Sequence, residues 1–158
     1  MRIRDRWLQA ALVGVIAYSA TLVVAGRDAD RLFDLLGFGM RGAGVVAGST
    51  QEQHVLLIYG VLGSVLLGWA TTLLLIARGP LRARDPWAWR TFATAFGLWF
   101  VVDTTFSVAV GSVPHALFNV AFLAAVLPPL LGIRSAIARG PASESASGTA
   151  PEPGEVVR

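Results

Sequence analysis

Four apolar runs, each close to the length needed to cross a lipid bilayer, set what this chain can become. They cover about residues 7–25, 55–77, 87–110 and 115–133. A hydrocarbon core about 30 Å thick takes roughly 20 helical residues, whereas a barrel strand would be half as long and would alternate. Lipid offers the backbone no hydrogen-bond partners, and a helix closes its bonds within itself. The expected fold is therefore all-α: an integral membrane four-helix bundle over residues 7–135, after a basic head of residues 1–6. Residues 136–158, "AIARGPASESASGTAPEPGEVVR", have almost nothing to bury and read as a disordered tail.

Composition agrees with the runs. The 158 residues are 54% hydrophobic and 15% charged, against roughly 25% charged in average soluble domains. Zero Cys excludes disulfides, thiolate metal sites and thiol redox chemistry within this chain. All 13 basic residues are Arg, in small scattered groups that suit span ends better than a nucleic-acid face, so no nucleic-acid partner is expected. Arg without Lys, beside abundant Ala, Gly and Val, has the look of high-GC bacterial codon usage.

Orientation follows from the Arg groups. Arg2, Arg4 and Arg6 precede span one; Arg78, Arg82, Arg84 and Arg90 surround the loop after span two; Arg134 and Arg139 follow span four. The positive-inside rule places both termini and the middle loop in the cytoplasm of a bacterial inner membrane, although Arg27, Arg31 and Arg41 in the first outer loop run against it. Trp7, Trp87 and Trp89 then fall at the inner interface, where amphipathic indoles belong. A cleaved signal peptide ending at "VVA" before Gly26 is the alternative for span one. Its apolar core of about 18 residues exceeds the usual 7–15 of such signals.

The outer loop, residues 26–54, holds "DADRLFDLL", whose Leu32, Leu35 and Leu36 suit a short amphipathic helix at the interface or over the bundle. Beyond it, Gly37, Gly39 and Gly42 match G-x-G-x-x-G by letter. No strand precedes them and no βαβ unit fits, so they read as a pliable turn or a lid rather than a nucleotide site. Within span two, Gly60, Ser64 and Gly68 recur every four residues and offer a helix-packing face, either within the bundle or in a homodimer. Ala10, Gly14 and Ala17 or Tyr18 provide a similar face in span one. Pro128 and Pro129 should kink or terminate the last helix.

Asp103, in "FVVDTTFS", is the one carboxylate deep within a span, roughly 12 Å from its outer edge. Facing lipid, its charge would cost about 2.5–3.5 kcal/mol on insertion scales, so it should face the bundle and find donors there. Ser107 lies one turn outward on the same helix; His115 and Asn119 share a face of span four. Tyr18 and Tyr59 sit at similar depth, and Gln53 and His54 could crown the layer at the water surface. Together they suggest a polar pocket in the outer half, floored by aliphatic packing. A channel would instead want polar groups through the whole depth.

Other chemistries are poorly supplied. His54 and His115 are the only histidines, no carboxylate-rich spacing accompanies them, and no metal, haem or other cofactor is expected. Ser107, His115 and Asp103 lack the nucleophile elbow of a hydrolase.

The layout, with "RLFDLLGFG" between spans one and two, "YGVLG" in span two and "WFVVDTTFS" in span three, resembles the small four-span bacterial membrane proteins of the DoxX or BphX-like type. The resemblance covers about residues 5–135 in architecture. It implies a small membrane protein linked in some members to redox or catabolic operons, and the absence of Cys removes any thiol-based role. The functional expectation is a non-catalytic protein that binds membrane lipid or an apolar small molecule, or acts as an accessory subunit of a larger membrane protein. The alternative is a membrane enzyme or proton-coupled carrier working through Asp103.

Overall fold

The computed structural model describes residues 3–36 and 46–139. Within them the chain forms five helices: α1 (Ile3–Val24), α2 (Gly26–Leu35), α3 (Thr50–Arg78), α4 (Pro86–Ala109) and α5 (Val113–Ala138). All but α2 are long and apolar enough to cross a membrane, and the protein is an all-α four-helix bundle with α2 as a short extra helix. Gly37, Gly39, Gly42, Arg41 and the tail from residue 140 onward lie outside the described residues.

Local chemistry marks where each helix starts and stops. Ser49 caps α3 by accepting from the Glu52 amide at 3.1 Å, while the Glu52 carboxylate accepts from the Gly48 amide at 2.6 Å. Asp85 caps α4 by accepting from the Trp87 amide at 2.8 Å, with Pro86 in the first turn where its missing N–H costs nothing. Helix α4 ends in a Schellman turn. Gly111 takes the left-handed conformation (φ 79°), its amide donates to Val108 O at 3.0 Å, and the Ser112 amide donates to Ser107 O at 2.8 Å. This tight reversal fixes the register of α4 against α5.

Buried packing gathers at the basal end, where α1 and α4 begin and α3 and α5 finish. Leu8 and Leu12 of α1, Leu73 and Leu74 of α3, Phe92 and Phe96 of α4 and Val126 and Leu130 of α5 form one cluster there. Helix α1 packs most extensively along α3, and α4 along α5, whereas the sequence neighbours α3 and α4 touch little. The bundle is thus two paired hairpins that close tightly at the base and separate toward the α2 end.

The structure narrows two packing expectations. The face of α3 that meets α1 is the one bearing Gly63 and Ala70, both buried, rather than Gly60, Ser64 and Gly68. A Cβ at Gly63 would lie 2.8 Å from the Ser19 carbonyl oxygen and 2.9 Å from Leu22 Cβ, whereas at Gly60 or Gly68 it would meet nothing within 4 Å. Both faces are small and apolar, and the sequence alone does not separate them. Of the two outcomes open to Pro128 and Pro129, termination does not occur, since α5 continues to Ala138. Pro129 leaves the Ala125 carbonyl without its usual i+4 donor, and the Trp7 indole N–H of α1 supplies one at 2.9 Å. One turn further down, Trp89 Nε1 donates to Leu130 O at 2.9 Å, and the Arg134 guanidinium lies 5.2 Å from the Trp89 ring centre.

Candidate functional site: a roofed cavity beside Asp103

Because the hairpins part away from the base, they leave a cavity of about 410 Å³ bordered by all five helices. Its floor is aromatic, with Trp69 of α3 and Trp99 of α4 at 5.8 Å between ring centres and Phe122 of α5 edge-on to Trp99 at 5.8 Å. Gly14 of α1 lines one wall, and a Cβ there would have open space around it. Leu32, Phe33 and Leu36, at the C-terminal end of α2, line the cavity from above.

Helix α2 holds this position through contacts at both ends. One residue, Ala25, separates it from α1, and Arg27 Nε reaches Glu52 Oε1 at 2.7 Å at the start of α3. Asp30 Oδ1 accepts the Tyr59 hydroxyl at 2.9 Å. Phe33 then lies over the cavity, stacked on Tyr18 at 6.3 Å and tilted against Tyr59 at 5.8 Å and His115 at 6.3 Å.

The polar part of the site belongs to the α4–α5 hairpin. Asp103 and Asn119 each lie eight residues from Gly111, so the Schellman turn brings them to one depth. Asn119 Nδ2 donates to Asp103 Oδ2 at 2.6 Å and also to Thr104 Oγ1 at 3.3 Å. His115 Nε2 lies 3.2 Å from the same Asp103 oxygen and donates to it when that nitrogen carries the proton. Asn119 is fully buried and its Oδ1 has no hydrogen-bond partner among the described residues, while about a third of the Asp103 side chain stays open.

The expected layer is thus brought together in part. Asp103, His115, Asn119 and Tyr18 line the cavity. Ser107 is buried, but its hydroxyl donates to the Asp103 backbone carbonyl at 2.7 Å, the common back-bond within a helix, and not to the carboxylate. Tyr59 serves Asp30 of the roof. His54 is exposed, its Nδ1 held against Thr50 O at 2.8 Å in its own first turn, and it stands outside the cavity lining. Thr104, Phe33, Trp69 and Trp99 join the site without having stood out in the sequence. Of these, Thr104 had a visible signal, as a hydroxyl beside Asp103 in "VVDTTF".

The arrangement can hold an apolar molecule and orient it by one polar end. Among the described residues, no group of three His, Cys, Asp or Glu gathers as a metal site would require. Compared with known proteins, the chain matches no family model, no curated protein and no solved structure.

Proposed function

We propose that this is a small multi-pass protein of the bacterial inner membrane that binds an apolar ligand or lipid without chemistry of its own. In this reading α2 faces outward, because Arg82, Arg84, Arg90, Arg134 and Arg139 cluster at the basal end and the positive-inside rule makes that end cytoplasmic. The observation that carries the reading is the cavity of about 410 Å³, within the range of sites for small molecules, apolar on most sides and polar at Asp103, His115 and Asn119. Its place beneath an interfacial amphipathic helix suits entry from the outer leaflet. A role as a ligand-carrying accessory subunit of a larger membrane protein, in keeping with the four-span DoxX-like type that the sequence resembles, uses the same cavity.

Gly14→Phe tests this directly, since Gly14 lines the cavity, a Cβ there meets nothing within 4 Å, and the added ring would take up ligand space. Native mass spectrometry of the full chain in mild detergent should find small molecules retained by the wild type and lost from the variant. Equal retention by both would refute the reading. The Asp103–His115 contact at 3.2 Å favours one second reading, a proton-coupled carrier or membrane enzyme. That reading requires Asp103→Asn to fold, keep its ligand and yet lose transport or turnover.

A further inference from the structure

We infer that the ligand of this cavity carries a protonated amine, which pairs with the open oxygen of Asp103 while its apolar body lies among the aromatic rings. This rests on the ligand-binding reading above and adds the chemical class. Asp103 has two carboxylate oxygens, and both donors that reach it, from Asn119 and His115, converge on Oδ2. Among the described residues, Oδ1 has no partner, although the side chain borders the cavity. An open acceptor of this kind calls for a donor on the ligand.

Charge narrows the donor further. Among the described residues no Arg lines the cavity, and His115 is the one basic group within ion-pair distance of Asp103. His115, like Asn119, reaches only Oδ2, so the carboxylate borders the cavity with Oδ1 and its negative charge. An alcohol would satisfy Oδ1 and leave that charge as it is; an acid would add to it. An ammonium group does both tasks, and charge-assisted bonds of this type are roughly twice as strong as neutral ones. The walls suit the same ligand, because Tyr18, Phe33, Trp69, Trp99 and Phe118 border the space and aromatic rings attract cations.

The test uses three probes sharing one apolar body: 4-phenylbutylamine, 4-phenylbutan-1-ol and 4-phenylbutanoate. Each is titrated into the full-length protein in detergent while the indole N–H resonances of Trp69 and Trp99 are followed by NMR, which reports binding at the cavity floor rather than partition into the micelle. The amine should shift both resonances saturably, with a Kd at least about tenfold below that of the alcohol, and the acid should bind most weakly. In Asp103→Asn the advantage of amine over alcohol should fall to about one. The inference is overturned if alcohol or acid matches the amine in the wild type, a ranking that needs no variant to fold. It is also overturned if the amine's advantage survives in Asp103→Asn. Shifts from none of the three would remove the ligand-binding reading along with it.

Discussion

The indole N–H of Trp7 donates to the carbonyl of Ala125, the oxygen that Pro129 deprives of its helical donor. A residue near the start of α1 thereby repairs α5, and the cost of a proline pair in a membrane helix is offset by a contact between helices. The same bond ties the first and last helices of the bundle.

Trp7→Phe should therefore destabilise the protein by about 1 kcal/mol, the scale of interhelical hydrogen bonds in membranes. Pro129→Ala restores an N–H for Ala125, so the same Trp7→Phe change should cost markedly less in that background. Reversible unfolding in mixed micelles measures the cycle. Equal costs in both backgrounds would show that the indole contributes through packing alone.

At the α1–α3 crossing, Gly63 admits the Ser19 backbone closely enough that an added Cβ would sit 2.8 Å from a carbonyl oxygen. Gly63→Ala should cost about 1–3 kcal/mol, as overpacking does. Gly60→Ala and Gly68→Ala, with open space at each Cβ, should change stability by no more than about 0.5 kcal/mol. The same unfolding assay separates them, and a larger loss at Gly60 or Gly68 would point to a contact between copies of the chain.

The contrast among these glycines shows what the sequence could and could not carry. Span number and approximate length were legible because the bilayer demands about 20 apolar residues per crossing, and the "DADRLFDLL" helix was legible because its two faces differ in polarity. Which face of α3 packs was not, since lipid and protein interior are equally apolar and the Gly60 and Gly63 stripes look alike. The Asp103, His115 and Asn119 cluster was legible because charge deep in a span must find donors and the α4–α5 turn is short. The partnership of Tyr59 with Asp30 was not, because it depends on how α2 folds back over the bundle. The fate of Pro129 was hidden for a similar reason, its remedy lying 118 residues away at Trp7.

The roof offers its own test. Tyr59→Phe removes the hydroxyl that holds Asp30 at 2.9 Å and leaves the ring to keep its place against Phe33. A hydrogen bond to a carboxylate lost from a ten-residue helix should raise its local opening roughly fivefold or more. Hydrogen–deuterium exchange should accordingly quicken across residues 29–35 and stay unchanged in the middle of α4 and α5. Unaltered exchange in α2 would mean that Arg27–Glu52 and the Phe33 stacking suffice to seat it.

The pair at the cavity wall should behave as a unit. Asp103→Leu strands the fully buried Asn119 side chain, leaving it the Thr104 contact at 3.3 Å, and should cost about 1–3 kcal/mol. Asn119→Leu removes the shorter of the two donors to Asp103 and should cost a similar amount. When both are leucine no orphaned group of the pair remains, and the loss should fall short of the sum of the single losses by about 1 kcal/mol or more. Measured in the same micelles, strict additivity would show that the 2.6 Å contact contributes little to stability.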